Sequence, residues 1–248
     1  MREFGLIGYP LSHSFSQKYF TEKFKREGIA DAMFHAFSIP LIEELNEVIS
    51  THKALKGFAI TIPYKKAIFP FLSYVDEPAK KMGACNCVKI VDGELKGFNT
   101  DVIGFKKSFE KNLQAHHTKA LILGTGGAAA AVEFALQQLN IAYTFVSRSA
   151  DIIKGYISYD DVDANILSEY TIIINCSPVG TYPNVDEAPK LPYDLLTSKH
   201  YCFDLVYNPP LTKFLMLSQQ QGAIIENGYE MLVLQAEENW RIWNDDSL

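Results

Sequence analysis

The sequence predicts an α/β protein in two domains, each organised around strands that run largely parallel. Three observations carry this. Strand-like apolar runs alternate with helical patterns from the N-terminus onward, a rhythm that lays helices over a mainly parallel sheet. A glycine-rich turn, Gly124-Thr125-Gly126-Gly127, stands near the middle of the chain between a strand pattern and a helix pattern. The chain of 248 residues is long for a single core and suits two.

In chain order, the first series reads as strands at 4–8, 33–38 and 57–62, alternating with helices at 16–27, 41–50 and 77–82. Residues 87–97 read as a β-hairpin, because Asp92-Gly93 supplies the positive φ angles of a two-residue turn. After a helix at 102–113, the polar stretch Gln114-Ala115-His116-His117-Thr118 reads as a connector. The second series follows as strand 120–123, helix 128–139, strands 143–146, 171–175 and 201–205, helix 212–221 and strand 223–225. A last helical pattern at 229–243, apolar at Met231, Leu234, Trp240 and Trp243, is expected to return to the first domain. The expected division is a substrate-binding domain over 1–101, joined by 228–248, and a Rossmann-like nucleotide domain over 102–227.

Composition limits the partners. Apolar residues make up 48% and charged residues 21%, a globular balance rather than a disordered one. A net charge of −6 without a long basic run excludes a general nucleic-acid surface. Four cysteines are too few for a disulfide scaffold, and Cys85-Asn86-Cys87 lacks the spacing of a zinc ribbon. Reduced thiols, a cytoplasmic location and no metal are therefore expected. The apolar run at 4–8 is too short for a signal peptide core, and the longer ones are broken by charges such as Glu133, so no membrane association is expected.

Leu121-Ile122-Leu123 runs into Gly124-Thr125-Gly126-Gly127-Ala128-Ala129, a G-x-G-x-x-A pattern between strand and helix. In isolation such a pattern fits a plain turn opening an alanine-rich helix equally well. Its placement favours a dinucleotide, with Gly124 making the tight turn, Gly126 admitting a pyrophosphate, and the N–H groups at Gly127 and Ala128 facing the anion. The next strand ends in Ser147-Arg148-Ser149, where an NAD site would carry a carboxylate. A guanidinium grips a 2′-phosphate through paired charge-assisted hydrogen bonds, so NADP is the expected cofactor; otherwise Arg148 is a solvated loop residue.

Such a site needs a proton donor near the reacting carbon. Lys65 follows a strand at the ligand edge of the sheet, and Asp101 opens a helix. Their plain alternatives are an exposed Lys65-Lys66 pair and an N-cap. The histidines receive no role.

From end to end the chain resembles the shikimate dehydrogenase family. The first-domain blocks are Gly8-Tyr9-Pro10-Leu11-Ser12-His13-Ser14-Phe15-Ser16, Thr61-Ile62-Pro63-Tyr64-Lys65, Gly83-Ala84-Cys85-Asn86 and Gly97-Phe98-Asn99-Thr100-Asp101. The later ones are the glycine turn, Asn175-Cys176-Ser177-Pro178-Val179-Gly180, Asp204-Leu205-Val206-Tyr207-Asn208-Pro209 and Gly228-Tyr229-Glu230-Met231-Leu232-Val233-Leu234-Gln235-Ala236. The resemblance implies reversible NADPH-dependent reduction of 3-dehydroshikimate to shikimate in aromatic amino-acid biosynthesis. It makes Lys65 and Asp101 the catalytic pair. It places Ser14 and Ser16 on the substrate carboxylate, and Thr61, Asn86, Asp101 and Gln235 on its hydroxyls, with Tyr207 nearby. Leu205 and Gly228 fall near the nicotinamide, while Ser147, Arg148 and Ser149 face the 2′-phosphate.

Three positions depart from the family pattern: Ala59 stands where asparagine is usual, Gln17 where proline is frequent, and Ser147 where asparagine precedes the arginine. Ala59 matters most, since it removes an amide near Lys65. Two alternatives stay open: a quinate/shikimate dehydrogenase of broader specificity, and a non-catalytic NADP-binding regulatory protein. The expected assembly is a monomer or homodimer.

Overall fold

The computed structural model describes residues 1–11, 15–148, 150–151, 153 and 155–248. Its contacts divide into two compact units, Met1–Thr100 with Ala236–Leu248, and Asp101–Gln235.

In the first unit, β1 (Arg2–Gly8) lies between β2 (Ala32–Ser38) and β3 (Leu55–Ile60), all parallel. β5 (Cys87–Val91) pairs antiparallel with β3, β6 (Glu94–Phe98) antiparallel with β5, and the short β4 (Tyr74–Val75) parallel with β6. The sheet order is β2-β1-β3-β5-β6-β4, so β5 alone runs against the rest. That reversal comes from the hairpin, whose Asp92 (φ 51°) and Gly93 (φ 84°) take the expected left-handed turn. α1 (Phe15–Glu27), α2 (Leu45–Thr51) and α3 (Glu77–Met82) belong to this unit. α3 is capped by Asp76, whose carboxylate accepts from the Ala79 N–H, and it ends at Gly83 with φ 59°. The helical pattern at 41–50 divides into a 3-10 turn, Ile42–Glu44, followed by α2.

Both faces of this sheet are filled. Phe4, Phe20, Phe34, Ala59, Phe98 and Trp243 pack on one, and Ile7, Leu45, Phe58, Ile60 and Ile68 on the other. Strand alternation sorts them, since Phe58 and Ile60 point opposite to Ala59. Trp243 reaches the sheet because Gly57 has no side chain, and its indole N–H donates to the Val88 carbonyl at 3.0 Å.

The second unit holds six parallel strands in the order β12-β11-β10-β7-β8-β9. They are β7 (Lys119–Leu123), β8 (Ala142–Ser147), β9 (Ile157–Ser158), β10 (Ile172–Asn175), β11 (Tyr201–Asp204) and β12 (Ile224–Asn227). This is the doubly wound order, with its switch between β7 and β10, where ligands settle beyond the strands' carboxyl ends. α4 (Asp101–Phe109), α5 (Gly127–Gln138), α6 (Ala164–Glu169) and α7 (Lys213–Gln220) lie within this unit, and the division falls inside α8 (Tyr229–Asn244).

β4, β9 and α6 have no counterpart in the sequence expectations. Two-residue strands carry no periodicity, and the six-residue α6 is marked mainly by its Asp163 cap. The polar stretch at 114–118 is no open connector. His117 is buried, and the ring nitrogens of His116 and His117 both approach the Lys199 carbonyl, at 3.0 and 3.1 Å, inside the second unit. No helix is long and apolar enough to cross a membrane among the described residues.

Candidate active site

β7 ends in Gly124, whose φ of 98° lies in the region that favours glycine; its N–H donates to the Val146 carbonyl at 2.9 Å. Gly126 is the N-cap of α5, and having no side chain it makes no capping hydrogen bond of its own. Its first turn also lacks an acidic residue, which leaves the positive end of the helix available to an anion. A Cβ at Gly126 or Gly127 would enter open space, so these glycines are not required by packing within the protein. They leave backbone bare where a ligand can approach it.

Over this turn lies a cleft of ≈ 610 Å³ at the β7/β10 switch. Gly124, Thr125 and Gly126 line it together with Ser147 and Arg148 from the end of β8. The structure thus brings five of the expected cofactor residues to one place. Gly127 and Ala128 belong to the first turn of α5, and Leu205 and Gly228 lie outside the cleft lining among the described residues. Leu205 and Gly228 do meet each other, because a Cβ at Gly228 would collide with the Leu205 carbonyl. Ser149 and Ser14 lie outside the described residues.

The opposite wall was not foreseen. Tyr159 and Asp160, from a 3-10 turn after β9, and Lys190, from the long segment between β10 and β11, complete the cleft. Lys190 Nζ meets Asp160 Oδ1 at 2.6 Å, but both side chains are about four-fifths exposed, which makes the pair weak. With that acid paired, Arg148 sets a positive sign at the end of β8. Burial raises the Tyr159 hydroxyl pKa, while Arg148 opposes the rise. Neither Tyr159 nor Lys190 belongs to any periodic pattern, so sequence carried no signal for them.

A buried polar knot holds the loops beside this cleft. Asn175 Oδ1 accepts from the Ser177 N–H at 3.1 Å and from Ser177 Oγ at 2.6 Å, fixing a residue of the cleft wall. Asp204 accepts from Asn175 Nδ2 at 2.9 Å, the Val206 N–H at 3.0 Å and Thr212 Oγ1 at 2.6 Å. Burial pushes the Asp204 carboxyl up to about 6 despite these donors. Tyr207 follows on an exposed loop.

In the first unit, the residues expected to meet substrate gather at the carboxyl edge of β1 and β3. The Thr61 N–H donates to the Ile7 carbonyl at 2.9 Å, and the Tyr9 N–H to the Ile62 carbonyl at 3.1 Å. Tyr64, buried, donates its hydroxyl to the Ile39 carbonyl at 2.6 Å, while the carbonyl of Lys65 accepts from the Cys85 N–H at 2.8 Å. The lysine's backbone is therefore anchored on both sides. Ser16 sits in the first turn of α1, half-buried.

Asn86 is buried and braces Thr100. Its Oδ1 accepts from the Thr100 N–H at 2.7 Å, and its Nδ2 donates to Thr100 Oγ1 at 3.1 Å. Thr100 Oγ1 in turn donates to Asn239 Oδ1 at 2.6 Å. Ala59 packs in the apolar face with Phe4 and Trp243, so the amide usual at that position is replaced by core packing. In the second unit, Asp101 is the first residue of α4, and Gln235 is a buried residue of α8 whose Nε2 donates to the Leu232 carbonyl at 2.9 Å. α4 and α8 approach closely at Gly104, where a Cβ would strike the Met231 carbonyl and Gln235.

Comparison with known proteins agrees with this architecture. Residues 6–88 match the family described as the shikimate dehydrogenase substrate binding domain. A shikimate dehydrogenase (NADP(+)) from Methanosphaera stadtmanae is 36% identical, over 96% of this chain and 90% of its own. The crystal structure of a chorismate mutase/shikimate 5-dehydrogenase fusion protein from Clostridium acetobutylicum is 35% identical. It superposes with a TM-score of 0.86, over 99% of this chain and 92% of its own. The shikimate 5-dehydrogenase of Thermus thermophilus, solved with NADP(H) and shikimate, is 29% identical at a TM-score of 0.85, over 98% and 94%. A non-catalytic regulatory protein is set aside, because relatives along the whole length carry the enzyme's name. By this likeness, which runs through both sheets, the chain belongs to the shikimate dehydrogenase family.

Proposed function

We propose that this chain catalyses the reversible NADPH-dependent reduction of 3-dehydroshikimate to shikimate. The observation that carries the proposal is the likeness to a shikimate dehydrogenase (NADP(+)) over 96% of the chain. The Arg148-lined cleft supports the cofactor half, since its shape and sign suit a dinucleotide bearing a 2′-phosphate. Gly124, Thr125, Gly126, Gly127 and Ala128 would hold the pyrophosphate, Ser147, Arg148 and Ser149 the 2′-phosphate, and Leu205 and Gly228 the nicotinamide end. When bound, NADPH supplies the hydride. The chain's own residues supply the proton and the fit.

Lys65 donates a proton to the substrate oxygen as negative charge develops there, and Asp101 orients its ammonium. In the reverse direction the pair receives that proton. Ser14 and Ser16 hold the substrate carboxylate, Thr61, Asn86, Asp101 and Gln235 its hydroxyls, and Tyr207 flanks it. A small polyhydroxylated acid is selected by such partners because each missing hydroxyl leaves one of them unpaired.

The test is NADPH formation, followed by absorbance, on mixing the purified protein with NADP and shikimate. NADPH should accumulate with shikimate and much more slowly with quinate. Equal rates with both would point to the broader quinate/shikimate specificity, and no NADPH with either would overturn the assignment.

A further inference from the structure

At the opposite, amino end of the first sheet, three residues far apart in sequence come together: Glu3 on β1, His35 on β2, and His52, which follows α2 and precedes β3. Each contributes one ligand atom, and these atoms lie within 4.8 Å of one another. His52 Nδ1 is 2.7 Å from Glu3 Oε2, and His35 Nε2 is 3.7 Å from the same oxygen. His35 Nε2 is buried and has no hydrogen-bond partner among the described residues. A buried ring nitrogen normally finds one, so this atom points to something not supplied by the protein.

We propose that Glu3, His35 and His52 form a zinc site. Two imidazole nitrogens and one carboxylate oxygen are a donor set suited to zinc, whereas calcium and magnesium favour oxygen alone. Tetrahedral zinc with bonds of ~2.1 Å spaces its ligand atoms ~3.4 Å apart, a value the observed separations bracket. The three side chains are only 23–30% exposed, which leaves water access to a fourth position. Phe37 holds both rings, lying 5.5 Å from that of His35 and 4.9 Å from that of His52. Gly5 makes room for it, since a Cβ there would strike the Phe37 ring. The site is structural: it clips β1, β2 and the entry to β3 together at the end of the sheet away from Thr61. Separations of 32 and 17 residues hide it from any spacing rule, which is why no metal was expected from sequence.

The experiment uses the full chain, stripped with a chelator and titrated with zinc, with the metal-to-protein ratio measured after desalting and with cobalt absorption as a geometric probe. One zinc per chain and a tetrahedral cobalt spectrum are expected, with a thermal midpoint raised by zinc. Glu3→Gln and His52→Gln should each weaken zinc binding at least ~10-fold and abolish the thermal shift. His116→Ala, in the second unit and outside the cluster, should leave both unchanged. No zinc uptake by the unaltered chain, or uptake undiminished by changing His35 and His52 together, overturns the proposal. The first outcome requires no variant, so misfolding cannot mimic it.

Discussion

The two halves of the proposed site are built from different material. On the cofactor side, the proposed recognition rests on backbone: Gly124 in its left-handed turn, the start of α5 at Gly126, and the carboxyl ends of parallel strands. On the substrate side the proposed contacts are side chains, and Asn86 among them is braced by Thr100, which in turn donates to Asn239, a residue distant in sequence. A backbone cradle tolerates changes of side chain as long as the turn survives. A side-chain site is brittle, because one substitution removes both a contact and the support of its neighbours.

The largest effect should come from the brittle side. Lys65→Ala is expected to lower turnover of shikimate at least ~100-fold with modest change in KM, because the proton donor is lost while the binding groups stay. Steady-state kinetics with NADP saturating would decide it, and near-normal kcat would remove Lys65 from the chemistry.

Next is the buried knot beside the cofactor cleft. The Asp204 carboxyl, raised in the folded chain to about 6 from an ordinary 3.8, contributes stability that is fully present below pH ~3.8. As pH rises towards about 6 the unfolded chain releases this proton first, so that contribution is lost. Unfolding in urea at several pH values should show the unaltered protein losing ~2 kcal/mol relative to Asp204→Asn between pH ~4 and ~6.5. Parallel curves for the two proteins would refute a raised carboxyl.

Smaller again is the effect expected at Arg148, a charged side chain beside the backbone cradle. Arg148→Ala should raise KM for NADP ~10-fold and leave that for NAD nearly unchanged, since only the 2′-phosphate loses a partner. An equal loss for both cofactors would mean that Arg148 supports the cleft's shape, and the contrast between backbone and side-chain recognition would have to be redrawn.

How much of this was legible beforehand follows the same line. The glycine turn, Ser147-Arg148 and the Asp92-Gly93 hairpin were readable because a turn is dictated by the residues inside it. The main strands and helices were readable from periodicity. β4, β9 and α6 were too short to carry one, and Tyr159 and Lys190 reach the cleft from segments without pattern.

By itself, then, the sequence determined the α/β class, the strand-turn-helix around the glycine-rich turn, the arginine at the end of β8, and the family. These are local signals or ordered blocks, and they need no knowledge of what packs on what. Only the tertiary structure decided the sheet orders, the far wall of the cleft, the bracing of Thr100 by Asn86 and Asn239, and the meeting of Glu3, His35 and His52. Each of these joins residues from separate strands and loops, and long-range pairing is set by the packing of the whole core rather than by any short stretch of chain.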